Sequence, residues 1–275
     1  MNPAERRLQL LRMGYDPIPC NGKRPVMEDW SSRDKTNPGE IGMWSSPGGF
    51  PFAQNTGIRT KFTPPIDIDI PIPEAADAAE QLVRDRFGED GTAILVRFGR
   101  SPKRAITFRT ETPFPKFTAL LLAPNEPDGQ RPDQRIEMLC DGQQIVVDGI
   151  HPDTKQHYGW QGGRSVGDIK REALPEISEA EARALVADIA DLLVKEHGYR
   201  LVNAKGEPIA DVPKGGANGH GQDGGAAPPL LRLGQRPEDP LRAPARRGAR
   251  PGPRAASARS AAGEDLTARA IHVRY

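Results

Sequence analysis

The segment Ile66-Asp67-Ile68-Asp69-Ile70 limits the possible folds more than any other part of this chain. Unbroken apolar–acidic alternation has the period of a β-strand, and side chains two apart on a strand share a face. The spacing predicts a strand whose isoleucines enter a core while Asp67 and Asp69 project together from the other side. Asp is depleted in strands, and neighbouring carboxylates repel each other unless a proton or a cation lies between them. A solvated strand face is the ordinary alternative for such a pair. The setting between isoleucines makes the pair more informative than an arbitrary D-x-D, and by itself it leaves both readings open.

Around this strand the sequence predicts a mixed α+β domain over residues 1–200. A helix follows Pro3, a residue favoured in a first turn, with Leu8 and Leu11 on one face and Gly14 as its stop. A strand-like piece ends in Pro17-Ile18-Pro19, and a loop over residues 21–25 comes next. Residues 31–55, rich in Ser, Pro, Gly and Asn, read as an irregular excursion over the surface. Pro71 and Pro73 end the acidic strand, and a helix over about residues 74–87 is closed by Gly88. Strands near 92–98 and 103–109 flank a four-residue hairpin loop. A loop rich in Pro and Asp leads to strands at 135–139 and 144–147, joined by the turn dipeptide Asp141-Gly142. Ser178 and Glu181 form a capping box for a helix over 179–197, whose Leu185, Val186, Ile189, Leu192 and Leu193 make an apolar stripe ended by Gly198.

Composition divides the chain. Residues 201–275 read as a disordered Gly/Ala/Pro/Arg-rich tail or linker without a packed core, the change being sharpest from Pro213. A shifted reading frame in a GC-rich gene yields the same kind of tract. The net charge of +1 exerts no overall pull on polyanions, so affinity for nucleic acid must come from local basic patches. Two cysteines without CxxC spacing give neither a disulfide framework nor a structural zinc set. The N-terminus lacks a signal-peptide apolar core, and no stretch approaches the ~20 apolar residues of a membrane span. A soluble, cytoplasmic chain with no membrane partner is expected.

The acidic strand gains a third member in Glu137, set between apolar neighbours in Arg135-Ile136-Glu137-Met138-Leu139. Hard divalent ions such as Mg²⁺ prefer carboxylate oxygens and share them with substrate phosphates. Three carboxylates on adjacent strands are what a two-metal phosphoryl-transfer site requires. A strand glutamate paired with Arg135 or Lys103 is the plainer account. Lys103 and Arg104 open the following strand, with Arg97 and Arg100 just before it, and Arg suits bidentate phosphate contact. Lys23 in its Gly-Pro loop, and Arg59 after Thr56-Gly57, are further phosphate candidates; glycine permits close backbone approach to a ligand. His151, in Gly149-Ile150-His151-Pro152, is a hydrogen-bonded structural group or a contact to nucleotide or template. Tyr158 and Trp160 are core residues or base-stacking platforms.

Taken in order, these pieces resemble the N-terminal primase–polymerase domain of the archaeo-eukaryotic primase superfamily, as found in phage and plasmid replication proteins. The resemblance rests on Gly14-Tyr15 with Pro17-Ile18-Pro19, then Gly22-Lys23-Arg24-Pro25 and Trp30, Asn55-Thr56-Gly57-Ile58-Arg59-Thr60 and Asp67-Ile68-Asp69. Ile136-Glu137 with Asp141-Gly142-Gln143, Gly149-Ile150-His151-Pro152 and Tyr158-Gly159-Trp160 complete it, over roughly residues 5–175. It implies an RNA-recognition-like catalytic core, with Asp67 and Asp69 as the first motif and Glu137 as the third, binding Mg²⁺ or Mn²⁺. It further implies NTP or dNTP as substrate, a single-stranded DNA template with primer, and a replicative helicase as partner. The family's second motif ends in a nucleotide-binding His; Arg104 stands there, in Pro102-Lys103-Arg104, and Lys61 follows Thr60 where Gly is usual. Arg can hold a phosphate but cannot act as a neutral acceptor. The implied activity is metal-dependent, template-directed nucleotidyl transfer, with Lys103, Arg104, Arg59, Thr56, Gly57, Lys23 and His151 around the nucleotide. A catalytically weakened nucleotide- or nucleic-acid-binding module and a metal-dependent nuclease are the alternatives.

Overall fold

Ile66, Ile68 and Ile70 are completely buried against two helices, and this one-sided strand sets the layering of the molecule. The computed structural model describes residues 1–89 and 91–212, so most of the expected tail lies outside the described residues. The chain opens with α1 (Pro3–Arg12), passes through β1 (Pro17–Asn21) and β2 (Arg24–Pro25), and reaches α2 (Pro38–Ser45). Then come β3 (Asn55–Arg59), β4 (Pro65–Asp69) and α3 (Pro73–Phe87), followed by β5 (Leu95–Phe98), β6 (Arg104–Thr107) and β7 (Phe117–Leu122). β8 (Gln134–Met138), β9 (Gln144–Asp148) and β10 (Gly159–Trp160) lead to α4 (Glu179–His197) and β11 (Arg200–Val202).

The strands form two antiparallel sheets in a mixed α+β arrangement. The larger runs β10-β5-β6-β4-β8-β7-β11 and the smaller β2-β1-β3-β9. α3 and α4 cover one face of the larger sheet. Ala75, Ala76 and Ala79 let α3 approach closely, and Leu185, Val186, Ile189 and Leu193 of α4 are fully buried there. Each such aliphatic side chain contributes about 1.5–3 kcal/mol on burial. Part of the other face is covered by the smaller sheet, where Ile58, Ile145 and Val147 meet Leu95 and Ala105 with Leu10 and Tyr15. The rest of that face is left open. Asp67 and Asp69 lie there.

Local signals held where they were strong. α4 has the expected Ser178–Glu181 capping box and ends at Gly198 in the left-handed conformation, φ 68°. Residues 31–55, expected to be irregular, nevertheless hold α2, with an Asn37–Glu40 capping box and Pro38 in its first turn. β7 replaces the expected Pro- and Asp-rich loop in part, because Phe117-Thr118-Ala119-Leu120-Leu121-Leu122 is an apolar run of strand length. β11 pairs with β7 beyond the expected boundary at residue 200. β8 and β9, joined through Asp141-Gly142, do not pair with each other; they part into different sheets. Among the described residues, no helix is long and apolar enough to cross a membrane.

Candidate active site

Antiparallel register builds the site. Asp67 of β4 lies directly opposite Glu137 of β8 and, on its other side, opposite Ala105 of β6. Arg97 faces Ala105 from β5, and Thr118 faces Glu137 from β7. One cross-strand row thus reads Arg97, Ala105, Asp67, Glu137, Thr118, and directly paired side chains in such a row lie on the same face with Cβ atoms ~4.5–5.5 Å apart. Asp69 belongs to the next row, opposite Arg135. The structure therefore brings Asp67, Asp69 and Glu137 together from two strands far apart in sequence.

Cations surround these acids. Lys103 Nζ lies 2.6 Å from Asp69, Lys116 Nζ lies 2.7 Å from Glu137, and Arg135 Nε is 3.6 Å from Asp69 and 3.4 Å from Glu137. Thr118 also donates its hydroxyl to Glu137 at 3.1 Å. Lys116 and Thr118 were invisible to sequence reasoning because β7 was. Burial pushes the Asp67 carboxyl up to about 6, with Glu137 and Asp69 adding to the shift and Arg97 opposing it. The residue itself is only half-buried, so the crowding is around its carboxyl. Arg97 runs beneath: it donates to the Val146 carbonyl at 2.7 Å and lies over the Tyr158 ring at 5.0 Å. Its Nε finds no acceptor among the described residues, and burial draws its pKa down against the pull of Asp67.

The donors suit a hard divalent ion chemically. Asp67 and Asp69 border the open face with Glu137 buried beside Asp67, and burial makes Asp67 resist carrying its charge without a cation. Among the described residues, however, no group of three His, Cys, Asp or Glu side chains is closely arranged as a metal cage. The ammonium groups of Lys103 and Lys116 occupy the carboxylates and must swing away before an ion can take their place.

Above the acids opens a cleft of about 380 Å³, bordered by Asp67, Asp69, Lys23, Arg97, Arg100, Lys103, Arg135, His151 and Tyr158. Of the predicted phosphate contacts, Lys23, Lys103 and His151 reach it. Arg104 also borders the cleft, but it is engaged elsewhere. It pairs with Ile68, on the helix-facing row, and its guanidinium is spent on buried Glu80, on Asp77 at 2.7 Å and on the Pro102 carbonyl. Although it borders the cleft, its charge points into the α3 side of the sheet. Arg59 does not border the cleft. Its Nε donates to Asp16 at 2.7 Å and its other nitrogens to the carbonyls of Trp30, Arg33 and Asp34, so it ties a loop down. Thr56 and Gly57 do not border the cleft either. Thr56 is fully buried, and a Cβ on Gly57 would meet Gln144 Oε1 at 2.7 Å and Cys20 Sγ at 2.9 Å, so sheet packing explains this glycine.

Gly99 has a similar role at the wall of the cleft. A Cβ there would stand 2.8 Å from both His151 Cδ2 and Tyr158 Cε1. Gly99→Ala is expected to push these two rings apart and to cost about 1–3 kcal/mol of overpacking, read as a lowered melting temperature. An unchanged melting temperature would show that the rings move aside freely.

Carboxylates facing one another across antiparallel strands, beneath a cleft ringed by cations, define a protein equipped to meet a polyanion. Comparison with known families gives the particular one: residues 7–179, well over half the chain, match the N-terminal domain of bifunctional DNA primase/polymerases, and the chain belongs to this Prim-Pol family. No curated protein matches it.

Proposed function

We propose that this chain transfers a nucleoside monophosphate from an NTP or dNTP to the 3′-hydroxyl of a primer on a single-stranded DNA template, breaking the α–β phosphoanhydride bond and releasing pyrophosphate, in replication of the phage or plasmid type. The observation that supports it most is Asp67 facing Glu137 across the strands, with Asp69 one pleat away and both aspartates bordering a cation-lined cleft. Asp67, Asp69 and Glu137 would hold Mg²⁺ or Mn²⁺, which when bound polarises the phosphoryl oxygens and lowers the pKa of the attacking hydroxyl. The chain's own residues align and neutralise. Lys103, Lys23 and Arg100 border the cleft at its open side, where they attract a triphosphate. Arg97 is fixed by Val146 and Tyr158, so its positive charge needs no reorganisation as negative charge builds up beside Asp67. Lys103 released from Asp69 becomes free to follow the phosphate chain.

The test is one gel with labelled primer–template and Mn²⁺, with nucleotides present or absent. Extension that requires nucleotides supports the proposal. Retention of the primer–template without extension would make the chain a binding module, and cleavage without nucleotides would make it a nuclease; either outcome ends this reading.

A further inference from the structure

Glu137 is held differently from the two aspartates. It is buried, 7% exposed, and does not border the cleft, whereas Asp67 and Asp69 do. Both of its carboxylate oxygens are taken. Oε1 lies 2.7 Å from Lys116 Nζ and accepts the Thr118 hydroxyl at 3.1 Å, and Oε2 lies 3.4 Å from Arg135 Nε. The backbone that carries Lys116 is tied on each side, since Pro115 bridges to Asp141 and Phe117 pairs with Met138. Only the lysine side chain is free to leave. The ion pairs at the three acids fall on Asp69 and Glu137, and none forms with Asp67 among the described residues. A divalent ion therefore meets an uncompensated carboxylate at Asp67 and an already neutralised one at Glu137.

We propose that Lys116 is the resident counter-ion of Glu137 and keeps a divalent ion off this carboxylate in the nucleotide-free chain, so that a single ion binds there, at Asp67 and Asp69. The inference rests on the metal-binding part of the reading above and goes beyond it in how many ions the free chain holds and which side chain limits them. An ammonium at hydrogen-bond distance supplies the charge that a carboxylate otherwise seeks in a cation. A second ion at Glu137 has to displace that charge and also meets the repulsion of the first ion close by. At Asp67 the first ion relieves the repulsion between neighbouring carboxylates and displaces only Lys103, which borders the cleft and can turn into it. Thr118 adds to the asymmetry, because its hydroxyl is spent on the same Oε1 that Lys116 holds.

Titration of the nucleotide-free chain with Mn²⁺, followed by the electron paramagnetic resonance of the free ion, counts the sites. The parent should bind one ion per chain, with any second site roughly tenfold weaker or worse. Lys116→Met removes the charge and keeps most of the side chain's length. It should take up a second ion roughly tenfold more tightly than the parent. Lys116→Arg keeps a cation on Glu137 and should behave as the parent. Glu137→Gln should keep the first site within about threefold and gain no second. Melting in EDTA checks that each variant folds, and K116Q serves if K116M does not. A lysine with a merely structural role would lower the melting temperature without changing the number of ions bound. That result, two sites of similar affinity in the parent, a second site opened by K116R as readily as by K116M, loss of the first ion in E137Q, or a parent that binds no Mn²⁺ would each overturn the proposal. A parent that binds one ion yet never extends a primer sinks the polymerase reading alone. A parent that extends primers but holds two ions without nucleotide sinks this inference alone.

Discussion

Asp67→Asn is expected to lower nucleotide incorporation by on the order of 10²–10³-fold or more while making the protein more stable at neutral and alkaline pH. The first effect follows from removing the central carboxylate of the three. The second follows from its protonation. An unfolded Asp ionises near 3.8, whereas the folded carboxyl holds its proton up to about 6 because it is desolvated and stands beside Glu137 and Asp69. Between these values the folded state binds more protons than the unfolded one, so stability falls as pH rises through this window. Above about pH 6 the full cost is present. After allowing for remaining solvent access it amounts to roughly 1–2 kcal/mol. Asn carries no charge, so the variant should melt a few degrees higher than the parent at pH 8 and no higher at pH 4. For the same reason Mn²⁺ should raise the parent's melting temperature more at pH 8 than at pH 5, where a proton competes for Asp67. Parent-like primer extension by D67N would remove Asp67 from the chemistry. A lowered melting temperature at pH 8 would mean that Arg97 stabilises the ionised carboxylate after all.

Arg104→Ala, by contrast, is expected to damage the fold and leave nucleotide affinity alone. Glu80 is 5% exposed and shares its carboxylate between Arg104 and Arg84. Removing Arg104 leaves a buried charge only partly compensated, which costs about 3–5 kcal/mol. Replacing both members, Glu80→Gln with Arg104→Met, should restore most of that loss, because no uncompensated charge remains and the Met side chain covers the Phe98 ring on which Arg104 now lies. Denaturant melts of the single and double variants give the stability difference, and the nucleotide KM measured at low temperature tests the site. If R104A kept the parent's stability and its KM rose tenfold, the guanidinium would belong to the triphosphate and its buried pairing would be incidental.

Arg104 also shows where sequence reasoning stops. Lys103 and Arg104 are adjacent cations in one short segment, and nothing local distinguishes them. The register of β6 on β4 does: Arg104 pairs with Ile68 and so shares the helix face, and Lys103 is left on the side of Asp69. A shift of one residue would exchange them. Arg59 is similar, since its partners Asp16, Trp30, Arg33 and Asp34 come from a loop whose path no pattern gives.

The sequence by itself determined the elements whose signals are local. Alternation over residues 66–70 dictated a one-sided strand, Pro73 and Gly88 bounded α3, and a capping box with helical spacing dictated α4, because these depend on neighbours within a few positions. Only the tertiary structure decided that Glu137 lies opposite Asp67, and that Lys103 and Lys116 pair with the acids. Those relations come from strand pairing and sheet packing between segments tens of residues apart, where each hydrogen-bond register competes with its neighbours and the burial of the whole core selects among them.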